Sequence, residues 1–336
     1  MQEPQRTIVY TKGGGRLGNQ LLNYANLLAF QLEHPDFRMF DLAFVPFLDE
    51  YGREDLNLVD LDQLTFDGVW QSFVKVFWGW DRIASIRDFY PINRFRHQSL
   101  HYFAEWHPEA QSIVGGKPHA LFSIPGEQYD EFDLTADANV DRLRSKKLTL
   151  LAGWGVRCWP LVSKHFPTIR DRLQPGERYR SVAESFVDPL RERYDRLVGV
   201  LIRQDDYRTW NDGRYFFESG RYKELMEAYA DEFPSEDVGF VIASDEPQDE
   251  RLFADDAFRF ATGEAVGPGH YLENFAELSL CDEVLTPPST FSVFAAVLGE
   301  CPVIPLYPDV ESEGFERVDD PIREGRDHPV LSQTVK

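Results

Sequence analysis

The sequence predicts an α/β protein of two domains, and three observations carry that prediction. Short apolar strands alternate with helical patterns from residue 197 onward, and a strand–glycine turn–helix unit opens the chain. The length, 336 residues, is enough for two cores. Strands covered by helices on both faces assemble into parallel sheets. Two such sheets make Rossmann-like domains, expected to face each other across a cleft: one over 1–180 and one over 181–310, followed by a tail at 311–336.

The elements follow in order. Ile8, Val9, Tyr10 and Thr11 form the first strand, and residues 12–18 a glycine-rich turn. From Gln20 to Glu33, Leu21, Ala25, Leu28 and Leu32 recur at helical spacing until Pro35. Residues 37–40 begin the next strand. Residues 42–110 are irregular, with twelve aromatics between Phe66 and Trp106, most expected to pack into the first core and a minority to line a pocket. Strands are expected at 120–124 and 148–152, and a helix at 178–193, broken near Pro189. Thereafter come strand 197–203, helix 219–232, strand 238–243, helices 247–253 and 271–281, strand 283–286, helix 290–299 and strand 302–305. The polar tail is expected to wrap back onto the body.

Composition narrows the function. A net charge of -22 argues against nucleic acid and anionic membranes, which select a basic face. No stretch approaches the ~20 apolar residues of a membrane span and no leader pattern opens the chain, so a cytoplasmic location is expected. Only eight of the 35 basic residues are lysine, and this acid-rich, lysine-poor surface suggests a salty cytoplasm. Cys158, Cys281 and Cys301 lack metal-ligand spacing and read as buried thiols. In so acidic a chain, an arginine inside a motif carries extra weight, since any phosphate needs a local positive spot.

Two motifs supply that chemistry. The first, Gly15-Arg16-Leu17-Gly18-Asn19-Gln20, lies between a strand and a helix. Residues 13–18 also satisfy G-x-G-x-x-G, with Asp41 at the end of the next strand, so a dinucleotide site that cradles a pyrophosphate on the helix start stays open. Against it stand the extra polar Lys12 and the amides Asn19 and Gln20, placed where that helix would pack closely. The second motif, residues 200–207, runs from Val200 through Arg203 to Asp205, Asp206 and Tyr207. It sets a permanently charged, two-point phosphate donor at the carboxyl end of a strand, where open α/β sheets bind ligands. Farther on, Ser289, Thr290 and Phe291 open a helix whose first turn is capped by the hydroxyls, binds an anion, or does both.

Taken together, GRLGNQLLNYANLLAF at 15–30, IRQDDY at 202–207 and LSLCDEVL…PSTFS at 278–292 resemble the motifs of α-1,2-fucosyltransferases. More broadly they are similar to the superfamily that includes the α-1,6- and protein O-fucosyltransferases. Residues 151–173 resemble the stretch between that family's domains, and the likeness runs in order from about 8 to 305, outside 42–110. The resemblance implies a GT-B fold, a GDP-fucose donor, a glycan acceptor, inversion at the anomeric carbon and no metal. It assigns Arg203 to the β-phosphate, Gly15, Gly18 and Asn19 to the loop lining the cleft, and Ser289, Thr290 and Phe291 to the nucleotide. Asn274 takes the place of an acid that reads the guanine edge, and Asp245 falls in a cleft-facing loop. The chain departs from the pattern at Leu201 (histidine in the family), Gln204 (arginine), Asp205 (glycine) and Asn274.

The chemistry these residues imply is a direct displacement. Arg203 and the helix start at Thr290 stabilise the departing diphosphate, Asp206 is the candidate base for the acceptor hydroxyl, and Asn19 orients it or the donor. The fixed cation makes a divalent metal dispensable, and Asp205–Asp206 is the nearest thing to a metal pair. Two other readings remain: an NAD(P)-dependent oxidoreductase using 13–18, and a nucleotide-sugar-binding protein without turnover.

Overall fold

The structure, a computed structural model, describes residues 6–12, 15–44, 47–51, 101, 104, 108–115, 132–310, 314–325, 327–328 and 331. The expected strand at 120–124 and the aromatic stretch from 66 onward lie outside these, as do Gly13 and Gly14. The chain divides into two compact units, Met1–Leu173 and Gln174–Lys336. The expected boundary at 180/181 would instead cut through a helix that packs on the second unit.

In the first unit a four-stranded parallel sheet has the order β2-β1-β5-β3, with β1 Arg6–Lys12, β2 Phe37–Asp41, β3 Ala110–Val114 and β5 Leu148–Ala152. A parallel pair, β4 Phe132–Asp133 with β6 Val156–Arg157, stands apart from it. Helix α1 spans Leu17–Glu33, starting three residues earlier than its apolar spacing predicts. Gly15 takes a left-handed φ, +78°, and Arg16 is extended, so the helix begins at once. Helices α2 Asp137–Arg144, α3 Trp159–Lys164 and α4 Phe166–Arg172 and a short helical turn at Leu48–Tyr51 belong to the same unit, and the buried faces of Leu21, Leu28, Ile8 and Leu150 to its core.

The second unit carries a five-stranded parallel sheet in the order β11-β10-β7-β8-β9: β7 Arg196–Ile202, β8 Val238–Ser244, β9 Phe258–Phe260, β10 Glu283–Thr286 and β11 Val303–Pro305. Its helices are α5 Glu177–Arg191, α6 Ser219–Asp231, α7 Tyr271–Ser279 and α8 Thr290–Gly299. One core, built from Val200, Ile202, Tyr222, Leu225, Ile242 and Leu285 among others, joins the sheet to α6. Burial on this scale contributes about 1.5–3 kcal/mol per large apolar side chain.

Three local expectations need correcting. Helix α5 runs unbroken through Pro189, because the proline falls in the last turn, where one missing N–H costs one bond and Leu190 still anchors the face. Residues 247–253 form turns, not a helix: Asp249 Oδ1 accepts from the Arg251 amide at 3.0 Å, a local bond that competes with helix. The three-residue β9 was not foreseen. The tail does return to the body, with an antiparallel bridge from Val318 to Val303 and with Ile322 and Leu331 buried. The three cysteines are free and buried. No helix among the described residues is long and apolar enough to cross a membrane.

Candidate functional site

In the second unit the chain goes from β7 outward to β8 and β9, then returns to place β10 on the other side of β7. The carboxyl ends of β7 and β10 therefore border the point where strand order reverses, the position at which open parallel sheets leave a crevice for ligands. Arg203 follows β7 there, and Ser289 and Thr290 follow β10.

These two turns are tied together. The Tyr207 hydroxyl donates to the Pro288 carbonyl, 81 residues away in sequence. Burial pushes the Tyr207 phenol well above its ordinary pKa, so it remains a donor. The Arg203 guanidinium lies over the Tyr207 ring, 5.3 Å from its centroid. The Arg203 backbone amide donates to the Tyr222 hydroxyl of α6 at 3.1 Å.

Arg203 is held from two sides. Its Nη1 donates to Asp245 Oδ2 at 2.7 Å and its Nη2 to Asp206 Oδ1 at 2.7 Å. Asp245, just past β8, also accepts from the Gln204 amide at 2.8 Å. Burial raises its carboxyl pKa despite the neighbouring cation. Asp205, Asp206 and Asp245 bring carboxylate oxygens within 4.8 Å of one another, a group able to hold a cation, although Arg203 already bonds two of them. Gln204 is turned inward, donating to the Phe217 carbonyl at 2.9 Å and accepting from Gln248 at 3.0 Å. It serves the fold beneath the site.

Helix α8 begins with Ser289 as its N-cap residue, but that side chain makes no capping bond, which corrects one of the two roles expected of it. The Ser292 hydroxyl instead pairs with Thr286 at 2.7 Å and donates to the Ser289 carbonyl at 3.2 Å. Phe291 meets Phe275 of α7 edge-on at 5.2 Å and so packs the two helices together. Asn274, offered by the resemblance to a guanine edge, has another use here. It is buried, its Oδ1 accepts from the Gly263 amide at 2.9 Å and its Nδ2 donates to the Glu264 carbonyl at 3.1 Å. With Glu277, which accepts from the Thr262 amide and is raised by burial to about 6, it shapes the loop leaving β9.

In the first unit, Gly15 ends the turn after β1, beside β5, where that sheet too reverses order. A Cβ on Gly15 would lie 1.8 Å from the Asn19 amide nitrogen, so residue 15 must be glycine for Asn19 to fold over it. Gly18 is buried and Asn19 half-buried in the first turn of α1. Asp41 is fully buried, its Oδ1 accepts from the Ala43 and Phe44 amides, and burial raises it to about 8. A carboxyl so enclosed presents nothing to a ribose, which removes the acid that the dinucleotide reading needs.

Residue-level reading missed Tyr207 as a strut, Tyr222 as the acceptor for the Arg203 amide, and Asn23 and Asn26 on α1. Asn23 Oδ1 accepts from buried Arg157 at 3.0 Å, and Asn26 Oδ1 accepts from the Cys158 amide at 2.7 Å. The signal for the last two was available: amides on the apolar face of a helix need buried partners.

No protein-family model matches the chain, and no curated protein does either. Solved structures do. A point mutant of Arabidopsis thaliana FUT1 in complex with GDP superposes with a TM-score of 0.55 at 12% identity, over 95% of this chain and 76% of that one. NodZ α-1,6-fucosyltransferase soaked with GDP-fucose gives 0.48 at 13% identity, over 94% and 100%. Apo POFUT1 gives 0.45 at 14% identity, over 90% and 97%. The chain thus shares its fold with Arabidopsis thaliana FUT1: the α/β class of two parallel-sheet units, GT-B, that the sequence motifs imply.

Proposed function

We propose that this chain is an inverting, metal-independent glycosyltransferase of the α-1,2-fucosyltransferase type, moving fucose from GDP-fucose to a hydroxyl of a glycan. One observation carries the reading. A guanidinium and a helix start without a side-chain cap flank the switch point of the second sheet, and the Tyr207–Pro288 bond fixes one turn against the other. Both are anion-binding elements, and their joint ligand is a diphosphate. The shared fold with FUT1, which is known in complex with GDP, supports a guanosine nucleotide.

In this mechanism the acceptor oxygen bonds to the anomeric carbon as the bond from that carbon to the diphosphate oxygen breaks. The electron pair leaves with the diphosphate, where Arg203 and the amides at Thr290 meet the growing charge. The hydroxyl proton passes to Asp206, the nearest half-exposed carboxylate to Arg203. Gly15 and Gly18 shape the turn that presents Asn19, a neutral amide suited to orienting a sugar hydroxyl. Ser289, Thr290 and Phe291 contact the nucleotide, and Asp245 holds Arg203. Asn274 acts through the 263–264 backbone.

Thermal-shift titration with GDP, UDP and NAD tests the donor. Stabilisation follows RT ln(1 + [L]/Kd), so ligand at about 100 times Kd adds ~2.7 kcal/mol. GDP is expected to stabilise most. A shift with NAD and none with GDP would replace this reading by the oxidoreductase one. GDP binding without turnover of GDP-fucose would reduce it to a binding protein, and loss of turnover on EDTA treatment would overturn the metal-independent step.

A further inference from the structure

We propose that the two carboxylates on Arg203 have opposite duties: Asp245 is a permanent bracket that aims the guanidinium, and Asp206 is a placeholder that the incoming diphosphate displaces. This deepens the reading above and rests on it.

The geometry separates the two acids. The Asp245 side chain is 11% exposed and that of Asp206 is 52% exposed. Asp245 uses both oxygens, one on Arg203 Nη1 and one on the Gln204 amide, while its own amide donates to the Ile202 carbonyl at 3.3 Å. Displacing it would strip a partner from the Gln204 amide and unfasten the end of β7 from the end of β8. Asp206 touches Arg203 through one oxygen, from a 3-10 turn three residues further on. Pairs of this exposed kind contribute little to stability and exchange readily. A phosphate oxygen that takes over Nη2 restores the bond Asp206 gives up, whereas no part of the diphosphate can replace Asp245 on the Gln204 amide.

The exchange also has a chemical consequence. Before the donor arrives, one Asp206 oxygen is occupied by Arg203 and is not open to an acceptor hydroxyl. Once displaced it is a free carboxylate beside the leaving group, able to take the acceptor hydroxyl proton. Donor binding therefore unmasks the base, and the acceptor is activated only when a diphosphate sugar is in place. The same contact keeps Arg203 neutralised in the free protein, within a chain of net charge -22.

Calorimetric titration of GDP and of inorganic pyrophosphate into the wild type, Asp206→Asn and Asp245→Asn tests this. Charge alone predicts one sign for both variants, because each removes a negative group near an anion. The placeholder role predicts opposite signs. Asp206→Asn should bind both ligands about tenfold more tightly, and Asp245→Asn about tenfold more weakly. In turnover, Asp206→Asn should lower kcat and KM for the donor together. Shifts in the same direction for both variants, or unchanged affinity in Asp206→Asn, would overturn the placeholder role and leave the reading of Arg203 standing. A wild type that binds neither GDP nor pyrophosphate would overturn both. If Asp245→Asn fails to fold, Asp245→Glu takes its place: it keeps the charge but misplaces the carboxylate, so weaker binding is expected and unchanged affinity would overturn the bracket role.

Discussion

The two units handle polarity at their sheet ends in different ways. Beyond β7 and β8 the second unit gathers full charges: Arg203 between Asp206 and Asp245, and Arg208 on Glu246. Beyond β1 the first unit gathers neutral amides along α1, with Asn19 folded over Gly15, Asn23 on Arg157 and Asn26 on the Cys158 amide. Charges that pair at a rim exchange partners at small cost, whereas buried amides with fixed partners do not. The second unit thus ends its sheet in exchangeable charge, and the first in fixed amides.

Substitutions at four residues set this contrast at risk. The largest effect is expected at Arg203. Arg203→Ala should lower turnover by 10²–10³, about 3–4 kcal/mol, with an unchanged circular dichroism spectrum. Arg203→Lys should recover little of it, because an ammonium lacks the planar two-donor edge. Near-wild-type kinetics in either variant would mean that the charged turn is only a solvated strand end.

Next comes the amide side. Asn26→Ala leaves the buried Cys158 amide without its acceptor and should cost about 1–3 kcal/mol in chemical denaturation. A loss much below 1 kcal/mol would say that the amides of α1 are replaceable.

Asp41 supplies a pH signature. Its folded pKa, about 8, lies above the ordinary 3.8, so the neutral form is the one the fold prefers. The stability this contributes is complete below about pH 4 and is lost as pH rises towards 8, with a slope of at most ~1.4 kcal/mol per pH unit. Asp41→Asn should flatten the dependence of melting temperature on pH across that window. An equal slope in both proteins would place the titrating group elsewhere.

The smallest effect belongs to Ser289. An N-cap serine usually contributes ~1 kcal/mol, but this one makes no capping bond, so Ser289→Ala should change stability by less than about 0.5 kcal/mol. A drop near 1 kcal/mol would restore the capping role in solution.

The sequence made the sheets legible because their strands are short apolar runs: 148–152, 283–286 and helix 290–299 coincide with β5, β10 and α8. β9 escaped because Phe258–Phe260 gives three residues of pattern, and 247–253 misled because Asp249 spends its carboxylate on the local backbone. Arg203 was legible from its place at a strand end. Its partners Asp245 and Tyr222 and the Tyr207–Pro288 strut lie 19–81 residues from the groups they meet, and only the topology joins them. Asn274 shows the converse: position in a motif suggested a ligand contact, and the surrounding fold uses the amide for the 263–264 backbone.

One further feature concerns assembly. β11 is the outermost strand on its side of the second sheet, and Val318 pairs with it through two backbone bonds at Val303, of 3.0 and 2.9 Å. Arg317 secures that segment by reaching Glu283, which also holds Arg196. An unpaired strand edge is a template for pairing with another chain. The returning tail thus acts as a selvedge, finishing the border of the sheet, and a chain shortened before Arg317 would expose that border to its neighbours at high concentration.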